Sequence, residues 1–284
     1  MIQHGRTPMI MGDCFFWEDN RECRDPAGTL KSMNNTIVDI HCHLLFGVDD
    51  GPEEMSESVQ MLGRAKQQGI SDIILTPHFR HGMFPYVKPD ILANFQALQG
   101  FAAQADIGLH LGCEYHVDSK CFEHFSSGRC LTLAGSQYIL MEYSHITEYF
   151  YIHAMTQEAL LGGYIPVIAH AERYPCMVKS PARAKELRRM GALIQVNADA
   201  VLGLDGRAAK QYCKTLIRDE AADIIASDSH GIEQRVCHMA ECFEYIEKKY
   251  SADAARLLLC ENPKKILQNG KPASKRRNIN KVDL

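Results

Sequence analysis

The chain has 284 residues, 46% of them hydrophobic, which is enough for a packed core in one large domain or two small ones. A formal net charge of −4, with both signs mixed, argues against a general nucleic-acid or membrane-surface protein. Eleven cysteines without a CxxC pair exclude a zinc ribbon and a thioredoxin-like motif. Unpaired thiols, no signal peptide and no run of about 20 apolar residues predict a soluble, cytoplasmic protein without membrane insertion.

The first 35 residues show no hydrophobic period and are interpreted as a poorly ordered N-terminal extension. A regular pattern of short, apolar, β-branched runs begins at Thr36. Near-continuous hydrophobicity within such runs is typical of parallel strands that are buried on both faces. The seven predicted strands are 36–40, 70–76, 108–114, 137–143, 165–170, 192–198 and 223–227.

Amphipathic helical patterns lie between the predicted strands. They cover 53–69, 88–105, 149–161, 181–190, 207–219 and 235–248, with a short, weak one at 119–126. Alternation of this kind predicts right-handed βαβ units and a parallel α/β sheet. Seven strands with about seven helices favour a closed or nearly closed barrel over residues 36–268, followed by a basic tail at 269–284. A doubly wound open sheet is the alternative, although no glycine-rich nucleotide loop follows any strand.

Ionisable side chains collect at the predicted strand ends, where a βα barrel has its active site. Five of the seven strands end in such residues: His41 and His43, His78, Glu114, His170, and Asp228 with His230. Residues two positions apart in an extended segment point to the same side, so each HxH or DxH pair can reach one ion. A lone histidine in a loop is usually solvated or structural, but coincidence at five strand ends argues for a metal site.

Imidazole and carboxylate without thiolate suit Mn²⁺, Fe²⁺ or Zn²⁺, and the set is large enough for two or three ions. Three further acids, Asp49, Asp50 and Glu53, follow the first strand. Asp49 could instead only shape the turn, and Glu53 could only stabilise the start of a helix. Arg173 and Arg235 lie on the same rim and could bind phosphate oxygens. These residues together predict metal-dependent hydrolysis of a phosphate ester.

Five motifs in this order resemble one known family: DIHCHLLFGVDDG at 39–51, TPH at 76–78, GCE at 112–114, HAER at 170–173 and SDSH at 227–230. They are similar to the polymerase-and-histidinol-phosphatase (PHP) superfamily. Within it, they resemble the manganese-dependent protein-tyrosine phosphatases of bacterial capsule and exopolysaccharide operons. The resemblance extends from about Thr36 to about Leu267.

The resemblance implies a single domain with a distorted, seven-stranded, TIM-like (β/α)7 barrel, the PHP fold. It also implies a trinuclear centre, with Mn²⁺ as the expected ion, and it selects Asp50 rather than Asp49 as a ligand. The implied ligands are His41, His43, Asp50, Glu53, His78, Glu114, His170, Asp228 and His230. Arg173 and Arg235 would bind the phosphate, and Asp228 would also act in catalysis. The implied substrate is a phosphotyrosine protein, such as a bacterial capsule tyrosine kinase, while the oligomeric state stays open.

The sequence departs from the family pattern at two places. Ala171 stands where the family usually has proline, and the 35-residue extension is atypical. The main alternative function is a small-molecule phosphoesterase, for example a histidinol-phosphate phosphatase, on the same barrel. A third possibility is a non-catalytic module that binds phosphotyrosine on a decayed site. The presence of every proposed ligand argues against it. A metal-dependent amide hydrolase would usually have a strand-end lysine, which none of these strands has.

Overall fold

The fold was analysed on a computed structural model, which describes residues 36–269. The predicted extension over 1–35 and the predicted basic tail, apart from Asn269, lie outside the described residues. The described residues 36–269 group as one compact unit. No helix within 36–269 combines the length and the apolar character that crossing a bilayer requires.

Every one of the seven predicted strands is present, and all strand pairs are parallel. Two short additional segments, β3 and β5, follow directly after β2 and β4. The nine segments in the described chain are β1 (Ile37–Cys42), β2 (Ile70–Leu75), β3 (His78–Phe79), β4 (Gly108–Leu111), β5 (Glu114–His116), β6 (Tyr138–Glu142), β7 (Ile165–Ile168), β8 (Leu193–Asn197) and β9 (Ile224–Ala226).

The strands form two sheets, in the orders β1-β2-β4 and β3-β5-β6-β7-β8-β9. The chain passes from the first sheet to the second at two places. Thr76-Pro77 separates β2 from β3, and Gly112-Cys113 separates β4 from β5. A parallel bridge between Cys42 and Ser229 connects the end of β1 to the segment after β9. The result is a curled parallel sheet. The closed seven-stranded barrel stays a prediction.

Helices are present in each of the seven segments where they were predicted, and short helices that were not predicted lie at 175–178 and 198–202. The helices of the described chain are α1 (Met55–Gln67), α2 (Lys88–Gln104), α3 (Cys121–Ser126), α4 (Tyr149–Leu161), α5 (Pro175–Val178), α6 (Ala182–Met190), α7 (Ala198–Leu202), α8 (Arg207–Arg218), α9 (Met239–Lys249), α10 (Ala252–Arg256) and α11 (Asn262–Leu267). The helix predicted from 235 begins only at Met239, because Arg235 has a left-handed φ of +49° that an α-helix cannot contain.

Alternate residues of the central strands enter two different apolar clusters. Tyr138 and Leu140 of β6 pack in one cluster, whereas Ile139 and Met141 pack in the other, larger one. All four side chains are buried. Burial on both faces explains why these strands appear as continuous hydrophobic runs, and it holds their carboxyl ends at one rigid edge.

Candidate metal centre

The carboxyl edge of the curled sheet brings the predicted strand-end residues together. Each of these side chains is buried: His41, His43, His78, Glu114, His170, Asp228 and His230. The backbone fixes their positions directly, since the amide of His43 donates to the carbonyl of Ser229 (2.9 Å) and the amide of Asp228 donates to the carbonyl of His41 (2.8 Å). The first and last strands therefore hold their side chains in one mutual register.

An inner group consists of His41, His43, Glu114 and Asp228, whose potential ligand atoms all lie within 4.8 Å of one another. The Nε2 atoms of His41 and His43 are 3.2 Å apart. Oε2 of Glu114 lies 3.2 Å from the first and 3.1 Å from the second, and Oδ1 of Asp228 lies 3.4 and 3.6 Å away. Two nitrogens and two carboxylate oxygens thus face one point.

An outer group, closer to solvent, consists of His43, Asp50, His78 and His230. Oδ1 of Asp50 lies 3.2 Å from Nε2 of His78 and 3.3 Å from Nε2 of His230. Asp50 is exposed, in contrast to its three imidazole partners. His43 belongs to both groups, so the two potential ion positions are adjacent.

A third group, His78, Glu114 and Glu142, includes a residue that the sequence reasoning missed. Glu142 ends β6, a strand for which no ligand was predicted. It is half-buried, and His116 holds its Oε2 at 2.8 Å. His170 completes this side through its Nε2, which lies 2.8 Å from Oε1 of Glu114. In the sequence, the only indication of Glu142 is an acidic residue at the end of a predicted strand, and it belongs to no motif.

Hydrogen bonds behind three histidines direct their free nitrogens into the cluster. Nδ1 of His41 donates to the amide oxygen of Gln195 (3.2 Å), and Nδ1 of His43 donates to Oδ2 of Asp49 (2.8 Å). Nδ1 of His230 donates to the backbone carbonyl of Asp228 (2.9 Å). Because these partners only accept, each neutral imidazole keeps the Nε2 lone pair for the centre, which is the arrangement seen behind metal-bound histidines.

Two buried amides on β8 form a support that the sequence analysis did not identify. The side-chain oxygen of Gln195 also accepts from the backbone amide of His170 (2.7 Å), and its Nε2 donates to Asn197 (2.7 Å). Asn197 in turn donates to Oδ2 of Asp228 (2.9 Å). One relay therefore connects three of the predicted ligands. The available signal was two amides, two positions apart, in an otherwise apolar buried strand.

A second support lies behind β1 and β9. Ser227 donates to the buried carboxylate of Asp39 through its amide (3.0 Å) and its hydroxyl (2.5 Å). The amide of Ser229 donates to the Ser227 hydroxyl at 3.0 Å, and Cys42 Sγ lies 3.3 Å from the Ser229 hydroxyl. Cys42 thus faces away from the ligands, as strand alternation predicted.

The loop after β1 places the side chains of Asp49, Asp50 and Glu53 in three different environments. Asp49 lies behind the centre, where Oδ2 accepts from His43 and from the amide of His78 (3.0 Å). Asp50 belongs to the outer group, and Glu53 is exposed and joins none of the three groups that the described residues form. Gly51 permits this loop geometry, since a Cβ there would lie 2.1 Å from the carbonyl oxygen of His43. The role of Glu53 as a ligand stays a prediction.

Arg173 and Arg235 both reach the centre through Asp228. An Nη2 atom of Arg173 lies 2.8 Å from Oδ2, and Arg235 Nη2 lies 3.1 Å from both carboxylate oxygens. Arg235 also approaches Oδ2 of Asp50 at 3.4 Å. Both guanidinium groups stay exposed to solvent on one side, so they can bind an anion beside the ligand cluster.

Electrostatics keep the carboxylates of the cluster ionised at neutral pH. Burial opposes ionisation of Glu114 and Asp228, but the charges around them, chiefly His41, hold both pKa values well below the usual range. Burial also opposes the charge on His43, yet Asp49 raises its pKa to about 9. Burial together with His43 lowers the pKa of His230 to about 4. A divalent cation would therefore meet ionised carboxylates and compete with a proton on His43.

Three residues of the centre adopt left-handed backbone conformations. His170, Asp228 and Arg235 have φ of +28°, +53° and +49°. Such conformations cost non-glycine residues on the order of 1–3 kcal/mol each and persist where the surrounding structure imposes them. The relays from Asp39 and Gln195 supply that constraint for Asp228 and His170.

The donor set fits divalent metal ions. His78 Nδ1, Glu114 Oε2 and His230 Nε2 are buried and, among the residues that the structure describes, have no hydrogen bond of acceptable geometry. All three point into the groups defined above, where a cation would satisfy them. A pocket of about 580 Å³ opens beside them, and its lining includes Arg80, Arg173, His145 and Tyr143.

Comparison with known proteins supports the same interpretation. A family profile described as Capsular polysaccharide synthesis, CpsB/CapC, matches residues 37–268. The chain belongs to the CpsB/CapC family. A CpsB/CapC relative named Tyrosine-protein phosphatase CpsB, from Streptococcus pneumoniae, is 32% identical over 240 residues, which cover 82% of this chain and 99% of that protein. Tyrosine-protein phosphatase YwqE from Bacillus subtilis (strain 168) is 30% identical over 237 residues, covering 82% and 92%.

Solved structures give a consistent result. A chain from the crystal structures of YwqE and CpsB, described there as unique metal-dependent tyrosine phosphatases, superposes with a TM-score of 0.77 at 27% identity, covering 84% of this chain and all of that one. A phosphotriesterase homology protein from Escherichia coli shares the fold alone, with a TM-score of 0.54 at 12% identity and coverage of 82% and 99%. The CpsB/CapC match confirms the family predicted from the motifs.

Proposed function

We propose that this chain is a metal-dependent hydrolase that removes phosphate from phosphotyrosine on proteins of capsule or exopolysaccharide synthesis. A bacterial tyrosine kinase of the same system is the proposed substrate. The observation that carries the proposal is the set of three overlapping ligand groups at one sheet edge, with two arginines beside them. The names of the CpsB and YwqE relatives support the tyrosine phosphatase activity.

The proposed ions are two or three Mn²⁺, with Fe²⁺ or Zn²⁺ as alternatives that the same ligands could bind. His41, His43, Glu114 and Asp228 would hold one, and His43, Asp50, His78 and His230 would hold another. His78, Glu114 and Glu142 would hold a third beside His170, and Glu53 is a further proposed ligand. Such ions, when bound, make water a stronger nucleophile and neutralise charge that develops on phosphate oxygens.

The arginines would bind and orient the phosphate in this proposal. Each guanidinium is partly exposed beside Asp228, so it can donate to a phosphate oxygen without leaving its carboxylate partner. The backbone of Arg173 is held as well, because its carbonyl lies 2.9 Å from Nδ1 of His145. The adjacent pocket would hold the phenol ring. A phenol of pKa about 10 is a tolerable leaving group, so no strong general acid is needed.

Two finer features belong to the same proposal. The first is closure of the curled sheet into a distorted (β/α)7 barrel, as the resemblance to the PHP fold implies. The second is a cytoplasmic location, where a kinase tail and Mn²⁺ are both accessible. The nine described cysteines, all buried and unpaired, are consistent with a reducing compartment.

The test uses metal-stripped full-length protein, with p-nitrophenyl phosphate and a phosphotyrosine peptide as substrates. We expect Mn²⁺ to restore hydrolysis of both. His43→Ala, which removes a side chain common to the inner and outer groups, should lower kcat/KM by more than about a hundredfold, because even partners behind metal ligands are typically worth 10- to 100-fold. The matched control is His110→Ala, since His110 pairs with Asp72 far from the centre.

Failure of Mn²⁺, Fe²⁺ and Zn²⁺ to restore any phosphatase activity would contradict the proposal. Equal activity of His43→Ala and the His110→Ala control would also contradict it. Faster hydrolysis of histidinol phosphate than of the phosphotyrosine peptide would instead support the small-molecule phosphoesterase.

A further inference from the structure

Large apolar side chains that remain exposed are concentrated at one end of the molecule. The five most exposed in the described residues are Ile146 (86%), Leu161 (82%), Phe150 (73%), Leu204 (62%) and Met83 (57%). Four of them lie in segments that follow the carboxyl ends of strands, on the same side as the candidate metal centre. Leu161 alone ends a helix at the opposite side.

Three of these four residues adjoin residues that line the pocket beside the centre, and the fourth lies on the helix that follows one of them. Ile146 follows His145, and Leu204 precedes Asp205, both of which line that pocket. Met83 belongs to a turn in which its amide donates to the carbonyl of Arg80 (3.1 Å), another lining residue. Phe150 stands in the first turn of α4, directly after the Ile146 segment. We define Met83, Ile146, Phe150 and Leu204 as the apolar rim.

The apolar rim approaches the pocket from three different loops. Single exposed apolar residues are normal on a protein surface, but a group of them around one opening is typical of a surface that binds protein. Neighbouring aromatic residues do not share this exposure. Tyr149 donates to Glu186 (2.8 Å), and Tyr151 packs against Tyr143, so both are engaged in the fold.

We propose that the apolar rim binds the polypeptide on both sides of the substrate phosphotyrosine and favours apolar residues there. This inference rests on the proposed function, because it requires the phosphotyrosine to occupy the adjoining pocket. The peptide positions next to the phosphotyrosine are the ones that would meet residues adjoining its pocket. Free phosphotyrosine and other small phosphate esters have no such flanks. The rim therefore selects protein substrates over small ones.

The experiment compares two phosphotyrosine peptides of equal length, one with leucine and one with serine at the three positions on each side. Wild-type protein with Mn²⁺ should show a kcat/KM about tenfold higher for the leucine peptide, a difference that partial burial of apolar side chains can supply. The double variant Ile146→Ser, Leu204→Ser should lose this preference through a higher KM. Its kcat/KM for p-nitrophenyl phosphate should stay within about twofold of wild type. Leu161→Ser is the control, since it removes an equally exposed leucine away from the pocket and should keep the preference.

Equal rates for both peptides with the wild-type protein would overturn the inference, and so would a preference that survives in the double variant. Sedimentation velocity of both proteins tests whether the rim instead binds a second copy of this chain. If the wild-type protein is a dimer and the double variant is a monomer, the rim is a contact between copies and the inference fails. These outcomes are distinct from failure of the proposed function, which would abolish hydrolysis of p-nitrophenyl phosphate as well.

Discussion

Two buried aspartates at opposite ends of strand β9 both contact arginine, but the surroundings of the two ion pairs differ. Asp223 immediately precedes the strand and Asp228 follows it by two residues. Each carboxylate is almost fully buried, and each contacts arginine. The two ends of one three-residue strand therefore allow a direct comparison of an ion pair that supports the fold with one at the candidate metal centre.

At the amino end, Asp223 has a complete set of partners. Arg188 contacts both carboxylate oxygens through Nε at 3.0 and 2.8 Å, and the amide of Ile194 donates to Oδ2 at 2.9 Å. The side chain of Asn262 donates to the backbone carbonyl of Asp223 (2.9 Å). Burial raises the pKa of Asp223 in spite of the arginine. This pair secures α6, β8, β9 and α11 to one another.

At the carboxyl end, Asp228 faces two arginines that remain partly exposed, and it has a left-handed backbone. Its neighbours His41 and His43 keep nitrogen lone pairs directed at the same space. An arginine beside a buried aspartate therefore occurs both where a pair supports the fold and at the candidate metal centre. The distinction lies in unsatisfied nitrogen and oxygen atoms around the pair and in exposure of the guanidinium groups.

The largest expected effect is on activity at the carboxyl end. Asp228→Asn should lower kcat/KM for p-nitrophenyl phosphate by more than about a hundredfold, because it removes a charged oxygen from the inner group. The free energy of unfolding should fall less than it does for Arg188→Ala, because the arginines that Asp228→Asn leaves are partly exposed and the asparagine keeps an oxygen acceptor. Mn²⁺-dependent assays and urea unfolding measure the two quantities. Asp219→Asn, which alters an exposed ion pair with Lys185, is the control. A stable and fully active Asp228→Asn protein would show that this carboxylate has no role at the candidate metal centre.

The next effect is on stability at the amino end. Arg188→Ala leaves the Asp223 carboxylate buried without its cation and should lower the free energy of unfolding by about 3–5 kcal/mol, towards the lower figure because Arg188 is partly exposed. Activity of the folded fraction should be unchanged at 25 °C. Asp223→Asn added to Arg188→Ala should recover part of the loss. Urea unfolding without a change in midpoint would show that this pair does not stabilise the fold.

The smallest expected effect concerns the relay on β8. Gln195→Leu removes the acceptor shared by His41 and the backbone of His170, so Mn²⁺ affinity should fall about 10- to 100-fold. Asn262→Leu removes a buried amide at the other end of the sheet. It should lower the free energy of unfolding about as much as Gln195→Leu does, without changing Mn²⁺ affinity. Calorimetric titration of both variants with Mn²⁺ measures the difference. Equal affinities would mean that the relay only supports the fold.

Much of this arrangement could be predicted from the sequence because strand ends are local signals. Each HxH, DxH or single histidine follows an apolar run, and parallel strands bring such ends to one edge. The extra segments β3 and β5 could not be predicted in the same way. Pro77 lacks a backbone donor at the first interruption, but the second depends on a tertiary contact, since a Cβ at Gly112 would lie 2.9 Å from Leu133.

The supports behind the ligands were harder to predict than the ligands. Gln195 and Asn197 lie in a strand whose apolar residues dominate its pattern, and their roles depend on His41, which is 154 positions away in the sequence from Gln195. Glu142 was missed because a half-buried acid at a strand end has no motif of its own. Asp49 and Asp50 could not be separated by chemistry, since only the fold of the loop decides which carboxylate turns inward.

Gly51 shows how a residue without a side chain can be as intolerant of change as a ligand. Any other amino acid there would push its first carbon into the His43 carbonyl, which is part of the first strand end. Asp49, which accepts from the His43 imidazole, and Asp50, which belongs to the outer group, would then both have to move. A mutational scan should therefore find a position with no ionisable group whose loss is as severe as the loss of a histidine, and a survey restricted to polar residues would overlook it.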